Sequence, residues 1–263
     1  MSLEVPRAAQ KKKQYHADIV FCLDVTGSMQ PCIDALKNNV MDFANDIVKD
    51  GKIDIRFGLV AYRNRHETAR PEKDQLPINL QPWFFSPNFI SSEKHPSPDK
   101  IGLTPDADVL QGWLKTVGYC EAYGGGKKGP ESTLDALYYA LHLSDWRSGN
   151  THRVIVLLTD ADTCPTMVPS TYKRKADANV NRIIQDISTQ MPHGILFMCA
   201  PRFPIYEQIA REAESADRMV LLNPVQQGTG MENVNFHELL NLLSKSIKSS
   251  IATAAMRHGR ESS

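Results

Sequence analysis

Asp24, Thr26 and Ser28 stand at i, i+2 and i+4 directly behind the apolar run Ile19-Val20-Phe21-Cys22-Leu23. Carboxylate and hydroxyl oxygens on one short loop are the ligands a hard divalent cation prefers. The same residues also suit a plain helix start, with Ser28 as the cap and Asp24 near the positive end of the helix. A second apolar run, Val154-Ile155-Val156-Leu157-Leu158-Thr159, also ends in an aspartate, Asp160. Between the two runs, Glu131 follows the glycine-rich stretch Gly124-Gly125-Gly126-Lys127-Lys128-Gly129-Pro130. In open α/β sheets, ligands bind in the crevice outside the carboxyl ends of the strands. If the two runs are neighbouring strands, Asp24, Thr26, Ser28, Glu131 and Asp160 form an all-oxygen set on one sheet edge. The hydroxyls would then ligate a cation directly, with one or both aspartates holding its waters. A cation left incompletely ligated seeks one more oxygen, most naturally an acidic side chain of a partner.

That convergence requires each loop to leave a buried strand. Ala17 to Asp24 is nearly all apolar, as a strand covered on both faces should be. The spacing of Ile33, Leu36, Val40, Phe43 and Ile47 predicts a helix from Met29 to Val48, with Pro31 in its first turn and Asp50-Gly51 ending it. Ile53 to Tyr62 predicts a second strand, and Ile78 to Phe85 a third that Pro82 confines to a sheet edge. Thr104-Pro105-Asp106 predicts a cap and first turn for a helix carrying Val109, Leu110, Trp113, Leu114 and Val117. Glu131-Ser132-Thr133 opens a helix with Leu134, Leu137, Tyr138 and Leu141 on one face. Val154 to Asp160 is the next strand, followed by a helix from about Lys175 to Gln190 and a strand from Ile195 to Cys199. A helix from Ile205 to Ser215, a strand from Met219 to Leu222 and a last helix from Phe236 to about Met256 complete the order.

Strands alternating with helices imply an α/β fold, a doubly wound and mostly parallel six-stranded sheet with helices on both faces and one antiparallel edge strand. Residues 1–16 read as a flexible N-terminal tail, 17–256 as a single domain and 257–263 as a C-terminal tail. Residues 86–104, rich in Ser and Pro, read as a long loop placed to give partner specificity. Trp83, Phe84, Phe85 and Phe89 beside it read as satellite core or as a contact surface.

Composition excludes several classes. Lys+Arg and Asp+Glu are equal at 30 each in 263 residues, so no global field draws in nucleic acid or anionic lipid. No run approaches the roughly 18 apolar residues of a membrane span, and the first residues lack the apolar core of a secretory signal. Five cysteines, an odd number without C-x-x-C spacing, fit a reducing compartment and a cytoplasmic protein better than a disulfide framework. Gly124 to Gly129 lacks the Lys-Ser/Thr order of a P-loop, and no G-x-S-x-G elbow or paired histidine ligands occur.

With Asp24-Val25-Thr26-Gly27-Ser28 after one strand and Thr159-Asp160-Ala161 after another, the chain resembles the von Willebrand factor A (VWA) domain family. The family's metal-ion-dependent adhesion site carries D-x-[S/T]-x-S on a first loop, an oxygen ligand on a second and an aspartate on a third. The element order is similar from Ala17 to about Met256. The resemblance implies a Rossmann-like VWA fold, Mg²⁺ or Mn²⁺ held by Asp24, Thr26, Ser28, Glu131 and Asp160, and a protein partner offering an acidic side chain. Most members present a threonine in the second loop. Here Gly129-Pro130-Glu131 is similar to the Pro-Glu loop of integrin β I-like domains, in which the glutamate is the ligand, and Thr133 is the fallback. Lys128 stands where those domains carry an acidic residue for an adjacent cation, so the likeness does not extend to that second site. The implied role is an intracellular adaptor and not an enzyme. Relatives of this kind act in bacterial stress and tellurium-resistance-type phosphorylation systems, beside chaperone-like ATPases or in ubiquitin pathways. The resemblance further implies that ligand engagement can be coupled to movement of the last helix.

The rival expectation is catalytic. Asp24-Val25-Thr26-Gly27-Ser28 is also similar to the D-x-T-G-T loop of phosphoaspartyl-forming phosphatases, with Asp24 as nucleophile and Asp160 and Asp162 holding Mg²⁺. Such enzymes want a further acidic general acid/base close to the nucleophile, whereas position 26 is threonine, and a catalytic lysine between the loops, which Lys127 or Lys128 would have to supply.

Overall fold

Tyr15–Asp24 forms β1 in the middle of the sheet, with every side chain from Ala17 onward buried. The structure is a computed structural model that describes residues 15–49, 52–62, 84–85, 89–90, 100–118, 130–149, 151–167 and 178–261. After β1 comes a 3-10 turn, Gly27–Met29, and then α1, Gln30–Val48. The remaining elements are β2 (Ile53–Tyr62), β3 (Phe84–Phe85), β4 (Phe89–Ile90), β5 (Lys100–Ile101), α2 (Ala107–Gly118) and α3 (Thr133–Leu143). They are followed by β6 (Thr151–Leu158), α4 (Val180–Gln190), β7 (Ile195–Ala200), α5 (Pro204–Ala213), β8 (Met219–Pro224) and α6 (Phe236–Glu261).

Five parallel strands make the central sheet in the order β2-β1-β6-β7-β8. The chain moves from β1 outward to β2, then crosses back to place β6 on the other side of β1. Strand order therefore reverses at β1, and the crevice at such a switch point lies outside the C-terminal ends of β1 and β6. Alternate residues of β1 serve opposite faces: Phe21 packs with α1, α2 and α6 through Leu36, Leu114 and Leu243. Val20 and Cys22 pack with α3, α4 and α5 through Leu137, Ile187 and Tyr206. Burying each such aliphatic or aromatic side chain contributes about 1.5–3 kcal/mol, which is why a strand between two helical layers tolerates so little polarity.

Several boundaries differ from the sequence reading. β1 begins at Tyr15 where a tail was expected, because Tyr15 and His16 pair with Ile53 and Asp54 of β2. Thr104 pairs with Phe57 and does not cap α2; the helix starts after Asp106, whose Oδ1 accepts from the Asp108 amide at 2.9 Å. Asn179 caps α4, accepting from the amides of Asn181 and Arg182. α6 continues to Glu261, beyond the expected end near Met256. At the edge, β3 hydrogen-bonds antiparallel to β2 at Ala61 and Tyr62, while the rest of the predicted third strand, 78–83, lies outside the described residues. The triple glycine, Lys127, Lys128, Trp83 and most of the 86–104 loop also lie outside them. Among the described residues, no helix is long and apolar enough to cross a membrane.

His152 of β6 is buried at 6% exposure, and its Nε2 has no hydrogen-bond partner among the described residues. Burial, with a smaller push from His193, lowers its pKa from 6.5 to about 4. The unfolded chain therefore takes up this proton at higher pH than the native protein does. Stability from neutral His152 is complete above pH 6.5 and is lost as pH falls towards 4, by roughly 3 kcal/mol over the window. His152→Leu is expected to remove this part of the acid slope in urea titrations between pH 4 and 7; an unchanged slope would show that the imidazole is not the cause.

Candidate functional site

β1 ends on Asp24 and β6 on Leu158, and their register pairs Leu23 with Leu158. Asp24 and Thr159 consequently emerge side by side. The Asp24 side chain is fully buried, and both its oxygens accept hydrogen bonds. Oδ1 receives the Thr26 amide at 3.0 Å and the Thr26 hydroxyl at 2.7 Å. Oδ2 receives the Thr159 hydroxyl at 2.8 Å. Asp160, 1% exposed, is held the same way. Its Oδ1 accepts from Ser28 Oγ at 3.1 Å, and its Oδ2 accepts from the Gly230 amide at 2.7 Å.

The structure thus brings Asp24, Thr26, Ser28 and Asp160 into one hydrogen-bonded group. The alternative role of Ser28 as a helix cap is not found: neither the 3-10 turn nor α1 has a side-chain cap. Instead Thr26 and Ser28 each place a hydroxyl within hydrogen-bond distance of a carboxylate, and because an ionised carboxylate can only accept, that pairing uses the hydroxyl proton and leaves oxygen lone pairs available. The two hydroxyl oxygens lie 3.4 Å apart. Adjacent ligands of an octahedral cation at about 2.1 Å would be about 3.0 Å apart, so a small approach would seat one.

Glu131, 5% exposed, joins this edge through its main chain. Its amide donates to the Asp162 carbonyl at 2.7 Å, and its carbonyl accepts from the Cys164 amide at 2.7 Å. This ladder fixes Glu131, two residues before α3, onto the loop that carries Asp160. Thr133 is fully buried and turned elsewhere, within hydrogen-bond distance of the Tyr62 hydroxyl at 3.2 Å and the Tyr206 hydroxyl at 3.1 Å. Tyr206 in turn donates to the Ala161 carbonyl at 3.0 Å. Among the described residues, no group of three or more His, Cys, Asp or Glu is arranged to hold a metal ion. A cation here would rest on hydroxyl oxygens beside two aspartates.

Burial raises the pKa of Asp24 from 3.8 to about 6 against its three donors, and the charge of Asp160 adds to the rise. Burial, then the charge of Asp24, pushes the Tyr62 phenol well above its ordinary value. Two carboxylates close enough that the charge of Asp160 raises the pKa of Asp24 are the electrostatic condition a cation relieves.

Sequence reasoning passed over Thr159, Tyr62, Tyr206 and the loop carrying Gly228 and Gly230. Thr159 had a visible signal, a hydroxyl immediately before Asp160 at a strand end. Gln226-Gln227-Gly228-Thr229-Gly230-Met231 had another, two glycines spaced by one residue ahead of a helix.

Neither a protein-family model nor any curated protein sequence matches this chain. Among solved structures, the fold is similar to the pilus adhesin SpaC from Lactobacillus rhamnosus GG, with a TM-score of 0.54 at 14% identity. That match covers 90% of this chain and 31% of the adhesin chain, so this protein spans about a third of its neighbour's length. Proximal thread matrix protein 1 from the mussel byssus aligns over 89% of this chain and 49% of its own at 10% identity, with a TM-score of 0.48.

Proposed function

We propose that the chain is a VWA-type domain that binds Mg²⁺ or Mn²⁺ at the C-terminal edge of its sheet and, through the ion, an acidic group of a protein partner. The reading counts β3 as the sixth, antiparallel edge strand. The observation that carries it is the pairing of each hydroxyl with a carboxylate: Thr26 Oγ1 lies 2.7 Å from Asp24 Oδ1, and Ser28 Oγ lies 3.1 Å from Asp160 Oδ1. Thr26 and Ser28 would hold the ion by their oxygens, Glu131 would add a carboxylate, and Asp24 and Asp160 would hold its waters. The ion supplies a positive centre that an acidic partner can complete. Thr133 is the weaker candidate for the second-loop ligand because two phenols already share its hydroxyl.

An adaptor role inside the cell, in a stress or phosphorylation-linked system, rests on the family resemblance. Cys22, Cys32 and Cys199 are buried thiols outside any disulfide, which suits a reducing compartment. The phosphatase alternative is less well supported, since a nucleophile needs an open line of attack and Asp24 is wholly enclosed with both oxygens occupied.

Calorimetric titration of Mg²⁺ and Mn²⁺ into the metal-stripped protein tests the reading. Saturable binding is expected for the wild type, none for Asp24→Ala, and at least a tenfold loss for Glu131→Ala with no comparable loss for Thr133→Ala. A wild type that binds neither ion would retire the proposal.

A further inference from the structure

Between β8 and α6 the chain passes directly over Asp160. Gly228 donates its amide to the Asp160 carbonyl at 2.9 Å, and Gly230 donates to the Asp160 side chain at 2.7 Å. Three residues of this loop, Gly228, Gly230 and Met231, have φ between 61° and 70°. Met231 is not a glycine, yet it is 1% exposed and packed in the core cluster that includes Met29. A bulky residue held at positive φ is an outlier that surrounding packing must maintain, and such outliers concentrate where geometry serves a function.

Gly230 is fixed more tightly than its conformation alone requires. A Cβ at this position would lie 1.7 Å from the Ser28 carbonyl oxygen and 3.1 Å from Pro31 Cδ. The loop therefore rests on the backbone of the Thr26–Ser28 turn and on Asp160 at once. Gly228 is different: a Cβ there meets nothing within 4 Å, although its φ of 70° would strain any side chain.

We infer that Gly230 is a positioning residue of the cation site, its N–H turning the Asp160 carboxylate so that Oδ1 takes the Ser28 proton and leaves the Ser28 oxygen for the ion. This rests on the cation reading proposed above. The inference adds a fourth loop to the three loops that carry oxygen side chains, and that loop contributes only backbone. With Oδ2 held by Gly230, Asp160 is kept behind Ser28 as an outer partner of the ion. Any side chain at 230 must lift the loop from Ser28 and withdraw the donor. Asp160 could then rotate, and the Ser28 proton would no longer be fixed away from the ion. Outer partners of this kind typically change metal affinity by 10–100-fold when lost.

The test compares full-length wild type, Gly230→Ala and Gly228→Ala, each stripped of metal and titrated with MgCl₂ and MnCl₂ by calorimetry. Amide hydrogen exchange at Gly230 is measured on the metal-free wild type. Expected are a protected Gly230 amide, at least tenfold weaker binding in Gly230→Ala, and binding within about threefold of wild type in Gly228→Ala. Gly230→Ala that keeps its circular dichroism and binds like wild type would overturn the inference while leaving the cation reading intact. A Gly230 amide exchanging as fast as an open loop would overturn it even if Gly230→Ala fails to fold. A wild type that binds neither ion would overturn the cation reading itself, and this inference with it.

Discussion

Asp18→Ala is expected to lower the unfolding free energy by about 3–5 kcal/mol, a large part of the 5–15 kcal/mol typical of a folded domain. Asp18 lies on β1 with its side chain fully buried, opposite Arg56 on β2. Its Oδ1 accepts from Arg56 Nε at 3.1 Å and Arg147 Nε at 2.8 Å. Its Oδ2 accepts from Arg56 Nη2 and from the Arg147 amide, both at 2.8 Å. Burial alone would raise this carboxyl's pKa, but the Arg56 bond, the Arg147 amide and both positive charges outweigh it and hold the pKa below 3.8. Arg147 also reaches the Ala17 and Asp54 carbonyls, each at 3.0 Å, so the cluster ties together the N-terminal ends of β1 and β2. Removing the cluster's fully buried carboxylate leaves, among the described residues, Arg56 without an ion-pair partner and Arg147 with Asp54 alone, and that under-compensated charge on two largely buried guanidiniums sets the size of the loss. The comparison is Asp34→Ala, which removes a half-exposed carboxylate paired with Lys37 and is expected to cost under 1 kcal/mol. Urea unfolding at pH 7 separates the two. Because the native pKa is depressed, the Asp18 contribution is present above about pH 4 and is lost as pH falls below it. Equal losses in the two variants would mean that burial does not govern the pair.

This cluster marks where sequence reading stopped. Apolar strands and helices with three-and-four spacing were legible because burial on both faces imposes a composition, and a composition can be counted. Asp18 inside the apolar β1 was visible as an exception, yet its partners Arg56 and Arg147 lie 38 and 129 residues away. Nothing in local spacing pairs them; only the register of β1 on β2 and the course of the α3–β6 connection do. The candidate site divides the same way. Asp24, Thr26 and Ser28 share one loop, so their common position was readable, and Asp160 followed from a second strand ending in the same residue type. Glu131 on the same edge was a placement by loop order, and the structure ties it there through backbone bonds that have no sequence signature. Gly230 was hidden for a related reason. It acts by an N–H and by the absence of a Cβ, and every glycine offers both. Thr104-Pro105-Asp106 offers two cap residues with one residue between them, and the bridge from Thr104 to Phe57 leaves the cap to Asp106.

Asp24→Asn is expected to move stability and ion binding in opposite directions. With a native pKa of about 6 against 3.8, the folded protein holds this proton more tightly than the unfolded chain. Asp24 therefore stabilises most when protonated, below about pH 4, and the native state loses that advantage as pH rises through 6. At pH 7 the loss is roughly 3 kcal/mol, the free energy of about two pKa units. Asparagine is neutral at every pH. It can keep the Thr26 donors on its carbonyl and present its NH₂ to Thr159, whose hydroxyl also accepts the Ala161 amide at 3.2 Å. The metal-free variant should accordingly gain about 1–3 kcal/mol at pH 7, and its stability should no longer fall between pH 4 and 6. His152 contributes the opposite slope over nearly the same range, so the informative quantity is the difference between variant and wild-type curves. Adding Mg²⁺ at about 100 times its dissociation constant should then stabilise the wild type by about 2.7 kcal/mol and the variant not at all. Under the cation reading, the instability of the bare carboxylate is the cost of keeping a charged group ready for the ion. A variant no more stable than wild type at pH 7 would mean that Thr26 and Thr159 already compensate Asp24 in full. A variant still stabilised by Mg²⁺ would place any bound ion away from this loop.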